Sequence, residues 1–417
     1  MNIQHVFFIL FLCANMSIAR AQYKNSNSDL VFDFKKAGNL KISGYLQAQW
    51  QLAQQKGVSA FANGGSFKAT SNNRFSIRRG RVKISYTLGI VQMVVQPDFT
   101  EKGVGIKDAY VAIAIPSKIF EAQVGLFNRP FGYEINYSSS LRESPERTRV
   151  FLSLFPGERD LGAMVIVHGP KGFTKDLTLH AGVFNGNGIG LETDSRKDFI
   201  GRLAYLKNIN TSQVGLAFSY YLGGVLNTSD TNYKYDHGFV AQQIEKESYS
   251  QRQYFGIAAQ YKQVWIAGTT SIRTEYLWGN QAGIATQNAM PGGSSFAHTY
   301  PSDPLFLRNF NGFYAILVHD IGSSKHSVVL KYDYYDPNTK IKGNEIGLLT
   351  KTGAADISFS TFGIGYLYRW NQHLQLMAYY DFVKNEKSNY LWSANGLQNF
   401  ASTIKQNVLT LRLQVKF

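Results

Sequence analysis

The chain ends in VLTLRLQVKF, and in this stretch every second side chain is apolar. Leu409, Leu411, Leu413, Val415 and Phe417 fall on one face of an extended segment; Thr410, Arg412, Gln414 and Lys416 fall on the other. Successive side chains of a strand point to opposite faces, so unbroken alternation sets one face against an apolar medium and the other against water. The pattern recurs. Ile42, Leu46, Ala48 and Trp50 oppose Lys41, Ser43, Gln47 and Gln49, and Phe362, Ile364, Tyr366 and Tyr368 oppose Thr361, Gly363, Gly365 and Arg369. Sixteen such segments can be placed, with cores at 41–52, 74–86, 90–98, 107–115, 119–127, 160–169, 176–186, 196–207, 212–223, 252–263, 268–279, 309–319, 326–336, 357–369, 372–384 and 404–417. A small sandwich has no use for so many strands of this length. About 9–11 residues is what a tilted strand needs to cross a bilayer.

The connections divide into two classes. Those after even-numbered segments are short, as in TLG, PSK, NINTS and RWNQ; those after odd-numbered segments are mostly long and polar, at 53–73, 128–159, 224–251, 280–308, 337–356 and 385–403. Long loops on one rim and short turns on the other mark an outer-membrane barrel, with the short turns periplasmic. The expected fold is therefore all-β: a sixteen-stranded antiparallel transmembrane β-barrel with long extracellular loops and short periplasmic turns. Closure leaves no sheet edge in lipid, so every backbone polar group is paired.

The N-terminus, MNIQHVFFILFLCANMSIARAQ, carries an apolar run and an A-x-A cleavage pattern. Residues 1–21 read as a signal peptide, 22–38 as a periplasmic segment and 39–417 as the barrel, in the bacterial outer membrane. Cys13 is the only cysteine and leaves with the leader, so the mature chain has no thiol chemistry. No remaining apolar run is long enough for a transmembrane helix. The formal net charge is +15, which points to anionic partners; a secreted destination argues against nucleic acid.

One strand concentrates that charge. FSIRRGRVKIS holds Arg78, Arg79, Arg81 and Lys83. Its apolar face begins as Phe75 and Ile77 but ends as Val82, Ile84 and Tyr86, a slip of one residue that predicts a β-bulge, with Gly80 suited to sit in it. The slip turns both Arg78 and Arg79 towards the lumen. A lipid-facing arginine near mid-bilayer costs roughly 2–4 kcal/mol, which favours the inward orientation. Cations along the inner wall form a path for anions. The competing reading is that they pair with lumen acids such as Asp108 and Glu121 and fill the interior.

FSIRRGRVKIS, IKDAYVAI, AQVGLFNRPFGYE, SPERTRVF and GERDLGAMV follow one another in this order, from Phe75 to Val165. Together they resemble the phosphate-selective porin O and P family. The resemblance implies a trimeric channel in outer-membrane lipid, open to small phosphate-like anions, with an arginine-lined constriction formed partly by the third extracellular loop. It maps the family's arginine pair onto Arg78 and Arg79 and the acid of its Asp-Ala-Tyr strand onto Asp108. Segment 128–159 is the corresponding loop and carries Arg129, Arg142, Arg147 and Arg149 against Glu134, Glu143 and Glu146. Folded inward, such guanidiniums match oxyanions; left outside, RESPERTR is a self-paired solvated loop.

Other functions have less support in the residues. A barrel hydrolase needs a nucleophile beside a histidine, but the histidines are scattered and HDIGSSKHS falls in a short turn. No metal-ligand spacing, cofactor motif or nucleic-acid motif is present, so a non-enzymatic protein without cofactors is expected. Two alternatives remain open: a general diffusion porin without phosphate selectivity, and a plugged structural or adhesive barrel.

Overall fold

The computed structural model describes residues 38–58, 65–117, 119–285, 303–388, 397 and 400–417. The expected signal peptide, and all of the 22–38 segment but Gly38, lie outside the described residues, as do parts of the loops at 53–73, 280–308 and 385–403.

In chain order the strands are β1 (Asn39–Ala53), β2 (Asn73–Leu88), β3 (Val91–Thr100), β4 (Gly103–Ala114), β5 (Phe120–Asn128), β6 (Arg159–His168), β7 (Leu177–Phe184), β8 (Asp198–Ile209) and β9 (Ser212–Leu226). After them come β10 (Thr231–Tyr235), β11 (Phe239–Gln243), β12 (Tyr249–Trp265), β13 (Gly268–Gly283), β14 (Leu305–Ile321), β15 (His326–Asp336), β16 (Phe359–Arg369), β17 (Leu374–Asn385) and β18 (Val408–Lys416). Each strand pairs antiparallel with the next around the wall, β9 with β12, and β18 returns to β1. The result is a closed sixteen-stranded antiparallel barrel. The remaining pair, β10 and β11, is a hairpin within the β9–β12 connection, and β10 adds in parallel to the first residues of β14.

The alternation that defines the strands decides which face is which. On β18, Leu411, Leu413 and Val415 are exposed (43, 42 and 43%), whereas Thr410, Arg412 and Gln414 are buried (0, 4 and 4%). The apolar side is outside and the polar side inside, the reverse of a water-soluble barrel and the arrangement a bilayer demands. The strand ends that the long connections join all lie at one rim. The tight turn from Thr100 to Gly103 is the short exception there.

Among the described residues two bulges interrupt the ladder, one in β2 and one in β4. In β2, Gln47 faces Arg79 while Ala48 faces Ile77, which leaves Arg78 as the extra residue. The bulge expected at Gly80 is therefore at Arg78. Gly80 is glycine for another reason. A Cβ there would lie 2.7 Å from the carbonyl oxygen of Phe99, so its small size admits the neighbouring strand. In β4, Gln96 faces Asp108 while Pro97 faces Ile106, and Lys107 is the extra residue.

Candidate functional site

Segment 129–158 does not stay outside. After β5 it turns at Gly132, whose φ of 63° suits glycine and whose Cβ would strike Glu275. The Gly132 N–H donates to Ser219 Oγ at 2.9 Å, and the Tyr133 and Glu134 N–H groups donate to the Glu275 carboxylate at 2.7 and 2.6 Å. This fastens the entering chain to β9 and β13. Its short helix α1 (Arg149–Leu154) then lays Val150, Phe151 and Leu154 into a lumenal cluster with Phe131, Phe155, Tyr254 and Tyr314. The wall makes room for it, since a Cβ at Gly312 of β14 would lie 2.6 Å from Val150. Apolar packing thus fills the β9–β15 side of the interior.

The opposite side is charged. Glu146 of the loop reaches the β18–β1–β2 wall and accepts from Arg78 Nε and Nη2 at 2.6 and 2.7 Å, from Arg79 Nη2 at 2.7 Å and from Arg412 Nη2 at 3.4 Å. Three guanidiniums share one carboxylate. Their other donors go to neutral acceptors. Gln47 Oε1 accepts from Arg79 at 2.9 Å, and Gln49 Oε1 accepts from Arg412 at 3.1 and 2.6 Å. Nearer the mouth, Gln51 Oε1 accepts from Arg74 at 3.0 Å. The alternating glutamines of QAQWQ therefore orient a file of arginines without cancelling their charge.

Arg142 adds a fourth guanidinium. Its Nη2 donates to Ser139 Oγ at 3.3 Å, but its buried Nε and Nη1 have no hydrogen-bond partner among the described residues. Burial, with Arg147 adding to it, pushes Arg142 down to about 10, so it stays charged at neutral pH. A buried cation with unused donors is costly unless a counter-ion visits it. At the long-loop rim a cavity of about 440 Å³ is lined by Lys68, Arg74, Arg78 and Lys102 beside the exposed Phe75 and Ile77, with Glu101 the one acid among the residues lining it.

Burial opposes the charged form of Glu146, but Arg78, Arg79 and Arg412 outweigh it and hold the carboxyl well below the usual range. A depressed folded value means that the stabilisation is full above the unfolded value of 4.5 and is lost as the pH falls through the folded one. The latch should therefore outlast the pH at which an ordinary glutamate protonates. Protection of the loop from an added protease, followed in detergent as the pH is lowered, is expected to hold through the ordinary glutamate range and fail only well below it. Failure at or above that range would contradict the triple pairing.

Below this layer the arginines are paired with carboxylates. Arg81 meets Asp98 at 3.0 Å, and Arg159 meets Asp108 at 3.0 Å and Glu158 at 2.8 Å. Arg147 bonds Glu158 and the carbonyls of Glu134 and Ile135, and so staples the loop to itself. Lys107, turned inward by its bulge, sits electrostatically among Glu158, Arg81, Arg159 and Asp98.

The residues singled out in the sequence thus separate. Arg78, Arg79 and Arg142 converge on Glu146, and Arg81 and Asp108 belong to the paired layer. Lys83 is half-buried on the lumen face, with no hydrogen bond or ion pair among the described residues. Arg129 braces the loop through Pro156 O at 3.1 Å, and Arg149 lies 3.8 Å over the Phe359 ring. The pairing anticipated between the strand arginines and Asp108 or Glu121 takes a different form: the partner of Arg78 and Arg79 is Glu146. Arg412, Gln47, Gln49, Arg159 and Lys107 were not anticipated. The signal for Arg412 and the glutamines was their place on polar strand faces, which closure of the barrel brings next to β2.

No protein-family model matches this chain, and no curated protein sequence does. Solved structures are similar across nearly the whole length. The outer membrane channel DcaP of Acinetobacter baumannii matches with a TM-score of 0.56 at 12% identity, over 93% of this chain and 99% of that one. OprB of Pseudomonas putida matches at 0.57 and 9%, over 92% and 95%. The trimer form of OmpT, an outer membrane protein of Vibrio cholerae, matches at 0.51 and 9%, over 92% and 100%. The chain has the fold of the bacterial outer-membrane porins.

Proposed function

We propose that the protein is an outer-membrane porin, a passive channel that favours small anions, phosphate and related oxyanions among them, and works as a homotrimer. The observation that carries this reading is the excess of guanidinium over carboxylate at Glu146: three arginines bonded to one acid, Arg142 beside them with unused donors, and glutamines rather than acids as the remaining acceptors. An anion drawn into the mouth by Lys68, Arg74 and Lys102 meets Arg78 first, since that side chain is 28% exposed. It then passes along the file towards Lys83. Guanidinium forks replace part of its hydration shell. Glu146 keeps the local charge modest, so the anion is held weakly enough to leave, as conduction requires.

The narrower reading, that the chain is one of the phosphate-selective porins O and P, rests on the ordered motifs from Phe75 to Val165 and gives Arg78 and Arg79 the role of the family's arginine pair. The apolar exterior supports residence in outer-membrane lipid. The trimer form of a structural neighbour supports the oligomer. The test is chloride current through the purified protein in a planar bilayer. Added inorganic phosphate is expected to reduce it in a saturable way. Chloride current untouched by phosphate would make this a general diffusion porin, and no current at all would make it a plugged barrel.

A further inference from the structure

A second cavity, of about 310 Å³, lies on the β6–β9 and β12 wall, away from the arginine file. Its polar lining includes Arg202, His180, His168, Tyr133, Gln260 and Asp176, and Ala204, Ala217 and Ala258 are among the small residues beside them. Tyr133 belongs to the inward loop, so the cavity sits against the loop near the short-turn rim. Arg202 and His180 face each other across β7 and β8. The buried Arg202 Nε and His180 Nδ1 have no hydrogen-bond partner among the described residues, and no hydrogen bond or ion pair engages the Arg202 guanidinium there. Glu275 is its electrostatic partner of opposite charge. That carboxylate is already occupied by the N–H groups of Tyr133 and Glu134 and by the Tyr314 hydroxyl at 2.6 Å. His168 is turned by Thr178, whose Oγ lies 3.2 Å from its Nδ1.

We propose that this cavity is an oxyanion subsite, separate from the arginine file, that holds a phosphate-like or carboxylate head group between Arg202 and His180. The inference rests on the reading that anions traverse the lumen. A guanidinium offers a planar pair of donors to two oxygens of such a group, and an imidazole Nδ1–H supplies a third donor in one tautomer. Asp176 is the one acid in the lining and Arg202 the one arginine, with His168 and His180 offering imidazole donors. The negative charge of Asp176 opposes a bound anion and so keeps the anion's hold weak.

The test uses the folded full-length protein in detergent, labelled at histidine, with NMR at fixed pH and ionic strength. Inorganic phosphate and acetate are added in separate arms to distinguish the two head groups. The His180 and His168 resonances are expected to shift in a saturable way with at least one of them. Arg202→Gln should abolish the shift, and Arg202→Lys should weaken the apparent affinity roughly tenfold by losing the fork. Ala204→Leu, which fills the cavity and leaves every charge in place, should abolish it too and serves if Arg202→Gln does not fold. No saturable shift in the parent protein, or an unchanged shift in the variants, overturns the subsite. Phosphate block of chloride current, recorded in parallel, separates the two readings. Block without a histidine shift overturns the subsite and leaves the channel standing. A shift without anion current upholds the subsite as a binding site and removes the channel.

Discussion

Glu146→Gln is expected to raise both the conductance of each channel and its preference for anions, while loosening the inward loop. Glu146 is the one carboxylate shared by Arg78, Arg79 and Arg412, and its backbone carbonyl also accepts from Lys331 Nζ at 3.1 Å. The amide keeps the shape and one acceptor but removes the charge. Breaking a buried ion pair by altering one partner costs about 3–5 kcal/mol, because the other charges are left uncompensated. Part of that cost is recovered as the loop shifts and water or chloride enters. The wall then has one more net positive charge, and the local anion concentration in such a cleft rises roughly severalfold. Single-channel recording and reversal potential measure the two effects. A conductance and selectivity equal to the parent's would show that Glu146 lies off the conducting path. The same substitution should lower the temperature at which the folded form loses its heat-modifiable migration.

The second large effect separates Arg142 from Arg79. Among the described residues Arg142 makes no hydrogen bond or ion pair to a carboxylate, although Glu146, Glu134 and Glu158 act on it electrostatically, and it carries two buried, unused donors. Arg142→Ala should therefore weaken phosphate block by roughly 10–100-fold, the value of a charge-assisted hydrogen bond to a buried group. It should leave stability nearly unchanged, since a buried charge without a direct ion pair is removed. Arg79 is held on both sides, by Glu146 and by Gln47. Arg79→Ala should destabilise the folded protein by about 1–3 kcal/mol as well as reduce block. Arg79→Lys keeps the charge and loses the fork, so it should weaken block more than it alters the chloride-over-potassium preference. Thermal migration shifts and block constants, taken together on the same preparations, decide the assignment. Equal loss of block and of stability in Arg142→Ala would make Arg142 another brace like Arg147.

The barrel was legible because its signal is local and repeated. In VLTLRLQVKF the alternation assigns each side chain to a face without knowledge of any neighbour, and the same rule holds around the wall. The slip between Ile77 and Val82 was legible for the same reason. Its position was not: a phase change brackets a bulge but does not choose among Arg78, Arg79 and Gly80, and close packing against Phe99 gives Gly80 its own reason to be glycine. The bulge at Lys107 left no clear phase change in IKDAYVAI.

The site was harder because its contacts are long-range. Glu146 lies 266 residues from Arg412, and RESPERTR has the same composition whether it pairs with itself, with the wall or with water. Which arginines of the loop became braces depended on the apolar residues between them. Val150, Phe151, Leu154 and Phe155 anchor α1 to the β9–β15 side, and that fixes Arg147 and Arg149 in packed positions while Arg142 and Glu146 reach the opposite wall. The glutamines at 47, 49 and 51 read only as polar-face residues until closure set β1 between β18 and β2.

The central claim is that the arginine file makes the lumen an anion path, and the sign of the reversal potential tests it most directly. The purified protein is placed in a planar bilayer between unequal concentrations of potassium chloride, and the voltage of zero current is read. A lumen governed by Arg78, Arg79, Arg142 and Arg412 gives the sign that marks chloride as the more permeant ion, moving towards zero at high salt as screening grows. A reversal potential of the opposite sign, or one at zero for all gradients, would contradict the account.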